Sequence, residues 1–200
     1  NAAYTASISG SWVVVSVSDP IARTVSGTVY TNEAKTTNIG ANKTVAATLN
    51  GGTKSTAETD SNGAFSFSIT MVRGDIISVF LDDETEKGST TTLSAQNADL
   101  AGLDIITGKI ALTHETSGPV TNATLDTSDN VSDTDLLFAV TTGAVDFTDG
   151  NELYICNAKS YTPGGAVELD SLKIPGSGTF TAAANAITVH NNWSVSSAAS

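Results

Sequence analysis

The stretch Thr59-Asp60-Ser61-Asn62-Gly63-Ala64-Phe65-Ser66-Phe67-Ser68 constrains the fold more than any other. An Asp-x-Asn-Gly turn leads into a run where Phe65, Phe67 and Ile69 alternate with polar residues. Asn and Gly both tolerate positive φ, which makes Asn-Gly a strong hairpin signal. Side chains two apart on a strand share a face, so Phe65 and Phe67 are expected to enter one core. This is β scaffold, and it carries no chemistry of its own.

The rest of the chain reads the same way. Ser, Thr and Gly are abundant and charged residues are only 15% of the 200, which suits short strands with uncharged outer faces better than helices. Trp12-Val13-Val14-Val15-Ser16-Val17 is a compact strand with apolar groups on both faces, so it needs cover on both sides. Strands are then predicted over 24–31, 44–49, 53–59, 64–72, 76–81 and 90–93, and seven short strands at this spacing indicate a sandwich. Residues 96–106 form a bridge. Beyond it strands are predicted over 110–114, 136–140 and 152–156, followed by the runs 178–180, 186–189 and 193–195. Three segments result: the N-terminal strand of residues 1–19, a sandwich over 20–106, and a second β-rich domain over 107–200.

Ser26-Gly27-Thr28-Val29-Tyr30, Ile39-Gly40-Ala41 with Val45, Thr59 to Phe67, and Gly74-Asp75 with Val79 occur in that order. Together they resemble the carboxypeptidase-regulatory-like domain, a transthyretin-like (prealbumin) β-sandwich, in the form found in large bacterial surface proteins. The resemblance covers residues 20–95. It implies a spacer or assembly module without catalysis, and it transfers no catalytic residues. The lines Gly178-Thr179-Phe180-Thr181, Ile187-Thr188-Val189 and Asn192-Trp193 resemble the repeats of bacterial surface β-solenoids. A second antiparallel sandwich is the alternative for this half. The fold class is therefore all-β, a transthyretin/Ig-like sandwich plus a second β domain of either kind.

A net charge of −12 argues against nucleic acid and anionic membrane as partners, since both need clustered Lys and Arg. No apolar run reaches transmembrane length, so no membrane insertion is expected. The chain opens without an initiator Met or a signal peptide and reads as a processed or excised piece. Cys156 stands alone, which excludes an intrachain disulfide, and reads as a small buried hydrophobe.

No nucleophile-elbow, zinc-helix or Cys-x-x-Cys motif is present, and His114 and His190 read as ordinary strand positions. The chain is therefore expected not to be an enzyme and to carry no cofactor. The one metal candidate is the segment from Asp126 to Asp135, in which Asp126, Asp129 and Asp133 could hold Ca²⁺. A solvated acidic turn is the competing account, and solvation is also the account of Asp82, Asp83, Glu84 and Glu86. Lys35, Lys43 and Lys54 sit where surface sandwiches form Lys–Asn or Lys–Asp isopeptide bonds, but read as ordinary exposed lysines. Asn42, Asn122, Asn130 and Asn192 each open a glycosylation sequon. Trp193 and Tyr161 read as core residues rather than a carbohydrate platform.

The functional expectation is an extracellular structural protein of a cell surface or filament, acting by self-assembly, spacing or adhesion. Trp12, Val13, Val14, Val15 and Val17 are the assembly residues, either donated to a neighbouring subunit as a strand or docked within their own chain. The alternative is a carbohydrate-binding accessory module with a glycan as partner.

Overall fold

The computed structural model describes residues 3–9, 12–18, 20–95, 98–116 and 118–196, with side chains from residue 20 onward. Among the described residues the chain is all-β apart from one short helix and one 3-10 turn. No helix among the described residues is long and apolar enough to cross a membrane.

Strands β1 (Ala3–Ser9) and β2 (Trp12–Ser18) pair as an antiparallel hairpin, with Ala6 opposite Val15 and Ile8 opposite Val13. The sandwich follows: β3 (Ile21–Tyr30), β4 (Thr44–Leu49), β5 (Ser55–Glu58), β6 (Ala64–Met71), β7 (Ile76–Leu81) and β8 (Ser89–Leu93). Two short strands, β9 (Leu100–Ala101) and β10 (Ile105–Ile106), pair in parallel with β3. One layer is therefore β6, β3 and the β9–β10 segment, and the other is β5, β4, β7 and β8. Between them lie Val25, Val29, Phe65, Phe67, Val45, Ile77 and Val79. Phe65 and Phe67 are buried while Ser66 and Ser68 are exposed, as the alternation predicts. Gly27 is required by a close approach, because a Cβ there would lie 2.3 Å from the Leu103 carbonyl oxygen.

The second layer does not end at β8. Strand β11 (Lys109–Leu112) pairs with it in parallel, so one sheet runs across residue 107. Helix α1 (Asn122–Asp129), a 3-10 turn (Thr134–Leu136) and β12 (Phe138–Thr141) come next. The chain then coils through β13 (Ala144–Phe147), β14 (Glu152–Ile155), β15 (Ser160–Tyr161), β16 (Val167–Leu169), β17 (Ser171–Pro175), β18 (Thr179–Phe180), β19 (Ile187–Val189) and β20 (Trp193–Ser196). Strands β11, β14, β17 and β20 pair in parallel, as do β13, β16 and β19, and β15 with β18. The coil thus visits three sheets in turn. It advances 19 residues from Glu152 to Ser171, 20 from Val167 to Ile187 and 21 from Leu172 to Trp193. Of the two expected arrangements, this parallel pairing is the solenoid-like one.

Alternation places like residues in register along the coil. Ile110, Leu153 and Leu172 stack inside, while Ala111, Tyr154 and Lys173 form an outer row. Rings form a row that runs from the interior to the surface: buried Phe147 and Tyr161, half-buried Phe180 and exposed Trp193 follow one another at centroid separations of 6.4, 5.5 and 6.2 Å. Strand β7 is buried throughout, because Ile77 and Val79 face the sandwich core while Phe80 faces the coil's core and Ser78 meets Ser128 of α1.

Two expectations are corrected here. The strand predicted over 136–140 begins only at Phe138. Asp133 caps a 3-10 turn by accepting from the Asp135 N–H at 3.0 Å, and Leu137 takes φ 71°. The turn lets both Leu136 and Leu137 enter the core, which strand alternation forbids. The acidic segment expected as a loop starts as helix α1. Its N-terminus is a capping box in which the side chains of Thr121 and Thr124 each accept from the other's N–H at 3.2 Å.

Candidate functional site

The groups read for catalysis hold structure together. The Nε2 of His114 accepts from the Ser160 N–H at 3.0 Å and its Nδ1 meets the Thr116 carbonyl at 2.9 Å, so the Nδ1 tautomer is the one that fits. His190 pairs with Glu168 at 2.8 Å, and this hydrogen bond raises its pKa above the ordinary value. Burial pushes the Cys156 thiol up to about 11, which keeps it a thiol at neutral pH.

The three carboxylates chosen for Ca²⁺ are engaged separately. Asp126 is exposed on α1. Asp129 accepts from the Val140 N–H at 2.8 Å, and Asp133 pairs with Lys54 at 2.9 Å while capping the 3-10 turn. Among the described residues the carboxylates that do converge are Asp82, Asp83 and Asp135. Two of them are tied to cations, Asp82 to Lys54 at 2.6 Å and Asp135 to Lys87, and the Asp83 N–H donates to the Asp135 carboxylate at 2.6 Å. The result is a clamp joining the ends of the sandwich sheet to the 3-10 turn of the coil.

The lysines and acids read as solvated surface are paired as well. Lys35 meets Asp104 at 2.8 Å, and Lys43 meets Glu84 at 3.1 Å and Glu86 at 2.9 Å. Asn122 is buried, and its amide nitrogen donates to the Gly143 carbonyl at 2.7 Å. Tyr161 is a core residue as expected, but Trp193 is 57% exposed, because among the described residues β20 pairs on one side only.

The backbone of Trp12 to Val17 lies in β2, paired with β1 and with no third strand among the described residues. The side chains of Trp12, Val13, Val14, Val15 and Val17 lie outside the described set.

A concave feature lies where sandwich and coil meet. A cleft of about 540 Å³ runs along the outer faces of β11 and β14. Ala111, Thr113, Tyr154 and Cys156 form its floor, and the segment from Ala98 to Asp104 forms its roof. Lys35, held by Asp104, lies in its wall, as does Lys159, whose ammonium donates to the His114 carbonyl at 2.6 Å and lies 3.5 Å from Glu115. Burial first, and then the charge of Glu33, push the Tyr154 phenol up to about 12, so it remains a neutral donor. Sequence reasoning missed this cleft. The alternation Ala111-Leu112-Thr113 and Tyr154-Ile155-Cys156 marks outward residues, but nothing local says that these strands are neighbours.

No family model matches the chain, and no curated protein or solved structure matches it.

Proposed function

We propose that this chain is an extracellular structural element that acts as a spacer and self-associates at a cell surface. The observation that carries this reading is the single eight-stranded sheet running from β5 in the sandwich to β20 in the coil. Load passing between the halves falls on the backbone ladder of one sheet, not on a flexible linker. Self-association is supported by two unpaired elements. Among the described residues strand β20 pairs on one side only, and Trp193 is 57% and Val195 64% exposed on it. The hairpin β1–β2 has no third strand among the described residues, and a two-stranded sheet alone is marginal in water. Donation of Trp12 to Val17 to a neighbour, head to tail, builds an open filament.

The test is sedimentation over rising concentration with electron microscopy, on the full chain and on one lacking residues 1–18. The full chain is expected to form fibres or ladders and the truncated chain to stay small. Equal assembly by both excludes strand donation. A full chain that stays monomeric at high concentration overturns the structural reading in favour of a carbohydrate-binding accessory module. Proteolytic shaving of intact cells tests surface display.

A further inference from the structure

Building on the self-association reading, we propose that the open end of the coil is the acceptor, and that it takes the β1–β2 hairpin of a second copy as its next two strands. The coil ends on an unfinished core. Register makes Trp193 and Val195 the successors of Leu172 and Ile174 in one sheet, and Ile187 and Val189 the successors of Val167 and Leu169 in another. The four predecessors are buried, whereas Ile187 and Val189 are half-buried and Trp193 and Val195 exposed. Trp193 nevertheless occupies an inner position, since its ring meets that of Phe180, which packs on buried Tyr161. A coil that stops on apolar inner positions needs a cap.

The hairpin has the complementary defect. Opposite residues of an antiparallel pair share a face, so its register places Tyr4, Ala6, Ile8, Val13, Val15 and Val17 together on one face. Neither of its edges has a partner among the described residues. Added beside β20, the hairpin continues the sheet by backbone pairing while that face covers Trp193 and Val195. Both surfaces also lack the charges that normally keep sheet edges apart. Every Asp, Glu, Lys and Arg of the chain lies between Asp19 and Lys173, so residues 1–18 and 174–200 carry none. Docking therefore strips water from no carboxylate, ammonium or guanidinium group of either segment. Donor and acceptor are different surfaces, so the contact repeats head to tail.

The chain has two Trp, so Trp12→Phe leaves Trp193 as the reporter of its own surroundings. In this full-length background, rising concentration is expected to move the Trp193 emission to the blue and shield it from acrylamide, in step with sedimentation. Val195→Lys, at an exposed position, disables the acceptor, and Val15→Lys disables the donor. Each alone is expected to stay monomeric with Trp193 open to the quencher. Mixed in equal amounts, they are expected to form dimers that grow no further, with Trp193 shielded only in the Val15→Lys chain. Assembly of either variant by itself overturns the proposal, and in the case of Val15→Lys shows that coil ends pair with each other. A mixture that stays monomeric overturns it as well. If the Trp12→Phe chain assembles while Trp193 stays quenchable, the acceptor lies elsewhere and self-association alone survives. If that chain is monomeric throughout with Trp193 shielded, the hairpin caps its own coil and the second copy is excluded. If it is monomeric with Trp193 exposed, both readings fall.

Discussion

The buried hydroxyl of Tyr161 donates a 2.7 Å hydrogen bond to Oδ1 of Asn122, 39 positions earlier in the chain. Burial holds the phenol well above its ordinary pKa, so it stays a donor at any working pH. The amide nitrogen of Asn122 also reaches the carbonyls of Gly143 and Ala166, so one side chain ties α1 to two coils. Tyr161→Phe leaves a buried acceptor unpaired and should cost about 1–3 kcal/mol in chemical denaturation. A loss near zero would show that the bond is not formed. Asn122 should also stay unmodified when the folded chain is expressed with N-glycosylation, as peptide mapping would show.

Phe67 lies 5.9 Å from Phe65 between ring centroids, with its side chain in the sandwich core. Phe67→Ala should cost about 3–5 kcal/mol, from lost transfer energy and the cavity left behind. A urea denaturation showing a loss well below about 1 kcal/mol would contradict the packing described for β6.

Lys54 joins Asp82 to Asp133 across the two halves of the molecule. Burial pushes the Asp133 carboxyl up, but the Lys54 hydrogen bond, the Asp135 N–H and the charges of Lys54 and Lys87 outweigh it and leave it lowered. A lowered acid stabilises the fold fully above its ordinary value of 3.8 and loses that contribution as pH falls through the folded pKa. Lys54 is raised, first by its hydrogen bonds to Asp133 and Asp82, so its contribution is complete below 10.5 and is lost only at higher pH. Both are in place at neutral pH. Lys54→Met should lower Tm by about 2–4 °C at pH 7, since the Lys54 side chain is 36% exposed and its charge is screened. The gap between variant and parent should close in acid, once Asp133 is protonated. A gap that persists there would place the effect in packing and not in charge.

With Asp129 and Asp133 already engaged by protein donors, melting with EDTA and with added Ca²⁺ should give the same midpoint. A ligand that binds only the folded state raises stability by mass action, so a reproducible rise with Ca²⁺ would restore the metal site.

Local physics made much of this chain legible. The Asn62-Gly63 turn, the Phe65–Phe67 alternation and the Ile76–Leu81 strand, apolar but for Ser78, needed only φ preferences and a period of two. The capping pair Thr121 and Thr124 was also present in the sequence, yet the surrounding acids masked the helix it starts. What the sequence by itself determined is the β class and the inward face of the strand that carries Phe65 and Phe67. Which strands became neighbours was decided only by the tertiary structure. The pairing of Ser89–Leu93 with Lys109–Leu112, and of Ala111 with Tyr154, joins residues whose separation leaves no local trace. That pairing turned Lys54, Asp82 and Asp133 from solvated charges into a clamp, and left Ala111 and Tyr154 side by side under an open cleft. The physical reason is that alternation is a property of one strand, whereas register and ion pairing belong to two.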